Sequence, residues 1–561
     1  MRSVLVVCVV LCATAQSAER VERIVRIAQG PIRGYKEPGE NVFSFYGIPY
    51  ATAPTGPHRF KAPLPAPSWL TTFEATNKDI ICPQAVTPEM MAILGQNKVL
   101  QENCLIANVF VPDTTETNLP VVVYVHGGAY QVGHGNFLTA NELLKEKPVI
   151  LVTFNYRLGI HGFLCLGTED APGNAGMKDQ VALLRWVKNN IATFGGNPDD
   201  VTIAGYSAGS SSVDLLMLSP STKGLFNKVI PESGANLAAF SVQIDPIENA
   251  KEYAKKFNVT NVDDVFALED FYRTAPLEDL FTDSFMTRKD SVFVFSPCVE
   301  RKTSEEPFLL ESPYAILSSG KYEKVPILYG FANMEGLMRT QYFDTWKDSM
   351  NEKFSDFLPA DLQFKNDDEK ENVAKQVKEF YFGDKLISEE TVLEYIDYFS
   401  DVIFTYGTLR AVKLHVKAGN NKIYLYEYSF TDDEDDIFLV PHTDNVRGAT
   451  HCAQTTAVFD AHPFFTRSGG KISKEYKNMR AIMRELWSNF IITGTPVPAG
   501  SSLPAWPPTG ADGAPHMSLG RTVELRGALL ERRMRFWDSI YEKHYREPQP
   551  PPAPPVRHTE L

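Results

Sequence analysis

The chain has 561 residues, 43% of them hydrophobic and 22% charged, the make-up of a globular protein able to bury a large core. Its net charge of −14 argues against nucleic acid as a partner, because gripping phosphate takes a basic surface.

Residues 1–18 read as a secretory signal: Arg2 supplies the charged start, Val4 to Cys12 an apolar stretch, and Ala13-Thr14-Ala15 a small-x-small cleavage site. That stretch is too short to span a bilayer, and no later one is long and apolar enough, so no stable membrane anchor is expected. Ile24 to Tyr50 alternates apolar and polar residues between turn signals, the pattern of short antiparallel strands. Tyr50 to Pro67 is proline-rich and reads as a surface loop. Pro120 to His126 and Pro148 to Tyr156 are runs of β-branched and apolar residues, which suit strands buried on both faces. Asn174 to Phe194 carries Met177, Val181, Leu184, Val187 and Ile191 at helical spacing, and Gly195-Gly196 stops it. Further strands are expected from Val201, at Val325 to Phe331 and at Lys422 to Tyr428. Helices are expected near 247–257, 368–381, 388–417 and Met534 to Tyr545. Strands alternating with helices mean an α/β architecture on a largely parallel sheet, as one large domain spanning 19–545. The run Asp432-Asp433-Glu434-Asp435-Asp436 reads as a solvated loop. Residues 546–561 form a tail whose six prolines predict a polyproline-type spacer that does not pack as core. It ends His558-Thr559-Glu560-Leu561, three of four positions of the H-D-E-L retention signal. With a signal at the other end, the endoplasmic reticulum lumen is favoured over secretion, through a retention receptor.

Of seven cysteines, Cys8 and Cys12 leave with the signal. Cys82, Cys104, Cys165, Cys298 and Cys452 remain, an odd number, so at least one thiol stays free or pairs with another chain. No Cys/His cluster has metal-ligand spacing, and no cofactor is indicated. Asn258-Val259-Thr260 is a sequon, so a surface glycan is expected at Asn258.

The chemistry gathers around Gly205-Tyr206-Ser207-Ala208-Gly209, which fits the G-x-S-x-G elbow. A serine on a sharp strand-to-helix turn projects its hydroxyl, and the flanking glycines remove Cβ atoms that would collide. The strand from Val201 and the apolar run Val213, Leu215, Leu216 and Leu218 supply the strand and helix the turn requires. A serine hydroxyl needs a base, normally a histidine oriented by a carboxylate, and in this fold acid and then histidine follow the serine. His126 and His161 precede Ser207, and His442 sits beside the acidic run. His451 follows the small-residue loop Gly448-Ala449-Thr450. Glu335 lies just past the Val325 strand, where ligand sites form in open α/β sheets; Asp444 is the competing acid. Gly127-Gly128-Ala129, after the Val121 strand, matches a glycine-rich oxyanion loop, and the Ala208 N–H is the second expected donor.

With these residues in place, the chain resembles a type-B carboxylesterase of the carboxylesterase/cholinesterase family, with the α/β-hydrolase fold and an insect-like flavour. The likeness rests on Phe45-Tyr46-Gly47-Ile48-Pro49-Tyr50-Ala51 with Arg59-Phe60, on Glu102-Asn103-Cys104-Leu105, on Asn155-Tyr156-Arg157, on Gly173-Asn174-Ala175-Gly176 with Asp179-Gln180, and on Phe194-Gly195-Gly196-Asn197-Pro198. It implies a Cys82–Cys104 bridge, a triad of Ser207, Glu335 and His451, and an oxyanion hole at Gly128, Ala129 and Ala208. It also implies hydrolysis of small-molecule esters through an acyl-enzyme. The departures point to neutral, fairly apolar esters. Residues 83–103 hold no aromatic residue to stack on choline, Tyr206 stands where cholinesterases have glutamate, and Gln454 stands where an acid is frequent. Juvenile hormone esterases typically carry glutamine at the Tyr206 position. The alternatives are a juvenile-hormone or odorant-ester-degrading esterase, and a non-catalytic binding or adhesion protein on the same fold.

Overall fold

The computed structural model describes residues 20–85, 94–95, 97–138, 141–281, 287–432, 446–460 and 472–555. The signal at 1–18, the acidic run from Asp433, His442, Asp444 and the final four residues lie outside them.

Among the described residues one sheet of 13 strands runs through the molecule. Its main strands are β1 (Val21–Ile27), β2 (Gly30–Lys36), β3 (Val42–Pro49), β4 (Ile106–Pro112), β5 (Leu119–Val125), β6 (Ile150–Phe154), β7 (Gly196–Tyr206), β8 (Lys228–Glu232), β9 (Ile327–Ala332), β10 (Ile423–Tyr428), β11 (His516–Leu519) and β12 (Val523–Arg526). They lie side by side as β1-β2-β3-β4-β6-β5-β7-β8-β9-β10-β11-β12. From β6 to β11 all neighbours are parallel. The N-terminal strands pair antiparallel, as their alternation predicts, and continue the large sheet through β4. A separate two-stranded antiparallel piece joins Ala51–Thr52 to Leu64–Pro65 inside the proline-rich loop.

Alternate residues of β5 feed two different cores. Val121, Val123 and Val125 pack on one face of the sheet, Val122 and Tyr124 on the other. Burial of both faces is why that run is apolar at every position rather than at every second one. Helix α1 (Ala175–Asn190) seals one face with Met177, Val181, Leu184 and Val187. The opposite face is sealed by helix Lys474–Thr493 through Met479, Met483, Trp487 and Phe490.

Cys82–Cys104 is a disulfide, and so is Cys165–Cys298, whose partners are 133 residues apart. Cys452 remains a buried free thiol. The start of the tail is fastened to the body of the protein. Arg546 pairs with Asp245 and its N–H reaches the Asp361 carbonyl at 2.8 Å; Glu547 meets Ser312. Pro548 and Pro551 are buried, and Pro551 leaves no room for a side chain at Gly167. Prolines cannot form a core of their own, but single rings fill surface grooves of a body already folded. The spacer is therefore laid along the protein rather than held off it.

Candidate active site

Strand β7 ends at Tyr206 and helix α2 (Ala208–Leu216) begins two residues later. Ser207, between them, has φ 55° and ψ −123°, a strained backbone for a residue with a side chain. Its neighbours explain how the strain is held. A Cβ on Gly205 would lie 2.5 Å from the Gly209 carbonyl oxygen, and one on Gly209 would lie 2.2 Å from that of Val125. The turn closes because both positions lack side chains. Ser207 is 7% exposed. Ala208 opens α2, so the positive end of that helix lies at the serine.

Glu335 follows β9 and is 0% exposed. Its Oε1 accepts from the Ser233 hydroxyl at 2.6 Å and from the Ala332 N–H at 2.8 Å. Its Oε2 faces Nδ1 of His451 in a short hydrogen bond. A carboxylate at Nδ1 selects the tautomer that carries its proton there and leaves Nε2 as the basic nitrogen. The loops bearing these two residues are stitched together: the Ala449 N–H donates to the Asn333 side chain at 2.9 Å, and the Met334 N–H to the Ala449 carbonyl at 3.0 Å. Phe404 lies flat on the His451 ring, centroids 4.1 Å apart, from a π-helical turn (Asp401–Thr405).

The glycine-rich loop after β5 turns left-handed over three residues, with φ of 115° at Gly128, 55° at Ala129 and 62° at Tyr130. A Cβ at Gly128 would lie 2.0 Å from the Val132 carbonyl oxygen, so only glycine fits. A Cβ added at Gly127 would lie 3.0 Å from that of Ser207. One of the motif blocks, Asn155-Tyr156-Arg157, holds this loop in place: the Tyr156 hydroxyl donates to the His126 carbonyl at 2.9 Å, and the Asn155 side chain accepts from the Gly135 N–H at 2.9 Å. Arg157 forks onto buried Asp179, a tie between loop and helix α1. His126 stacks on Tyr156, and burial pushes its pKa down to about 4, so it stays neutral. Tyr206 points into the core against Tyr124.

Around this constellation stand residues to which sequence reasoning gave no role in the site, Gln454 being marked there only as a position where an acid is frequent. The Gln454 amide donates to the Ser233 hydroxyl at 2.6 Å. Glu232, 0% exposed, accepts from Tyr426, Thr455 and Trp487, and its backbone carbonyl accepts from the Ser207 N–H at 2.9 Å. The run Glu232-Ser233-Gly234 after a short strand was their only local signal. Among the described residues no group of three or more His, Cys, Asp and Glu has the arrangement of a metal site, and no helix is long and apolar enough to cross a membrane.

Comparison with known proteins bears on this arrangement. A model described as "Carboxylesterase family" matches residues 21–537. Esterase FE4 of Myzus persicae is 32% identical over 509 residues, 87% of this chain and 86% of that protein. A carboxylic ester hydrolase of Bombus ignitus is 32% identical over 490 residues, 84% of this chain and 85% of that protein. The crystal structure of juvenile hormone esterase from Manduca sexta, with OTFP covalently attached, superposes with a TM-score of 0.81. It is 29% identical, covering 93% of this chain and 100% of that one.

Proposed function

The chain belongs to the carboxylesterase family and is a carboxylic-ester hydrolase, and from that premise we propose that Ser207, His451 and Glu335 perform the hydrolysis. Ser207 attacks the ester carbonyl, and His451 takes its proton at Nε2 and passes it to the leaving alcohol. Glu335 holds the imidazole and stabilises the charge it gains. The N–H groups of Gly128, Ala129 and Ala208 receive the oxyanion. Water then releases the acyl group by the same relay. The observation that carries the reading is the pairing of Glu335 with His451 Nδ1 at the C-terminal ends of the parallel strands, where the strained Ser207 stands.

Substrates are neutral, fairly apolar esters. Phe404, Phe240 and Phe293 form an aromatic row leading from His451, Phe240 lying 5.5 Å from Phe404 and 4.7 Å from Phe293. No acid stands at 206 or 454 to favour a cation. Juvenile hormone belongs in a substrate panel because the superposing crystal structure is an esterase of that name.

Ser207→Ala should lower turnover of p-nitrophenyl acetate by several orders of magnitude; equal turnover would refute the assignment. The protein enters the secretory pathway through residues 1–18, carries a glycan on exposed Asn258, and is held in the endoplasmic reticulum lumen by His558-Thr559-Glu560-Leu561. Deleting those four residues should send it into the medium; secretion of the full-length chain would overturn the retention reading.

A further inference from the structure

We infer that Gln454 is a positioning residue: its amide turns the Ser233 hydroxyl toward Glu335 and thereby fixes the direction of the hydrogen-bond chain that ends on His451. The inference rests on the triad proposed above. Ser233 has one hydroxyl proton. Its oxygen lies 2.6 Å from Glu335 Oε1 and 2.6 Å from Gln454 Nε2. An amide nitrogen only donates, so the hydroxyl accepts from it and its proton goes to Glu335. Were the amide reversed, Gln454 Oε1 would take that proton, and Glu335 Oε1 would be left with the Ala332 N–H alone. A carboxylate at position 454, having only acceptors when ionised, would compete with Glu335 for that proton.

The surroundings fix the turn that carries the amide. Gln454 is 0% exposed and sits in the first turn of helix α3 (Ala453–Val458), which the chain enters directly from His451. Its neighbour Thr455 donates to Glu232 Oε2 at 2.8 Å. Adjacent residues 454 and 455 are thus fastened to adjacent residues 233 and 232. The same dipeptide receives the Ser207 N–H through the Glu232 carbonyl at 2.9 Å. Nucleophile turn, acid and base turn all hang on residues 232–233. The titratable groups facing this point are Glu335 on the loop after β9, Glu232 at the end of β8, the Cys452 thiol on the same turn as His451, Tyr426 of β10, bonded to Glu232, and Tyr124 of β5 beside Thr455. A third carboxyl placed among them at 454 would favour the imidazolium of His451, which must be neutral to accept the serine proton.

The test compares kcat and KM from pH 5 to 9 on p-nitrophenyl acetate for wild type, Gln454→Glu, Gln454→Met, Ser233→Ala and the double variant Ser233→Ala/Gln454→Met. Active sites are counted with an organophosphate. Gln454→Glu should move the acid limb of kcat/KM upward by about one pH unit, so that activity lost at pH 6 returns by pH 9. Gln454→Met should lower kcat about tenfold at every pH with KM unchanged, and should add nothing once Ser233 is alanine. The inference is overturned if both variants at position 454 follow the wild-type profile per active site, which is the outcome of a purely structural role. It is equally overturned if Gln454→Met and Ser233→Ala act additively, a comparison that stands even where Gln454→Glu does not fold. Failure of the triad itself reads differently: Ser207→Ala would then keep its turnover whatever residue stands at 454.

Discussion

Glu232→Gln removes a titratable carboxyl from the core while keeping its size. Burial pushes the Glu232 pKa up to about 7 from an ordinary 4.5; the hydrogen bonds from Tyr426, Thr455 and Trp487 pull the other way and offset only part of it. Between pH 4.5 and about 7 the folded chain keeps a proton that the unfolded chain has released. Stability therefore falls as pH rises through that window and levels off above it. A separation of about 2.5 units at 1.36 kcal/mol each is about 3 kcal/mol. Glutamine does not titrate, so the variant's unfolding free energy relative to wild type should rise by about 3 kcal/mol from pH 4.5 to pH 8. Glu300 and Asp361, also raised by burial, to about 7 and about 6, contribute to both proteins and cancel in the difference. Urea unfolding at fixed pH reports it, with Trp487, which touches the Glu232 carboxylate, as the fluorescent probe. A difference that stays flat from pH 4.5 to 8 would refute the reasoning.

Other substitutions test other parts of the fold. Gly209→Ala sets a methyl group 2.2 Å from the Val125 carbonyl oxygen, so the elbow must shift; turnover should fall at least about 100-fold while far-ultraviolet circular dichroism is unchanged, because a displacement of ~1 Å at a nucleophile is that damaging. Replacing Cys165 and Cys298 by serine opens a loop of 133 residues and should lower stability by about 4–5 kcal/mol in the chain-entropy limit, read from the denaturation midpoint. Cys452 is 0% exposed, so a thiol reagent should find it only after denaturant is added.

The parts legible beforehand were those whose physics is local. Gly205 and Gly209 announce the elbow because no other residue fits, and β5 announces itself because every position is buried. Glu335 and His451 were singled out by their place after a strand and by chain order, and in the structure a hydrogen bond joins their side chains. What stayed hidden depends on partners far off in the chain. Cys165 and Cys298 are separated by 133 residues, and nothing in their spacing joins them. β8 is five residues long with a proline inside it, too short to stand out. Ser233, Gln454 and Phe404 are ordinary residue types until the loops that carry them meet. Proline content excludes a core of the tail's own but says nothing of grooves on a finished surface. Pro548 and Pro551 occupy such grooves.

The π-helical turn beneath Phe404 has a consequence for how this region tolerates change. At its upstream end, Arg533 grips Asp397 before the turn and Asp401, its first residue. Downstream, Gly407 lies against the Ala238 backbone, and Arg410 is caged by Tyr314, Tyr541 and Tyr545. An α-helix between two such fixed points cannot gain or lose a residue without rotating one of them by about 100°. The wide turn takes up the surplus residue as a splice, leaving both grips in register. A one-residue deletion within 401–405 would remove that slack, and the rotation would fall on the aromatic ring that covers the histidine.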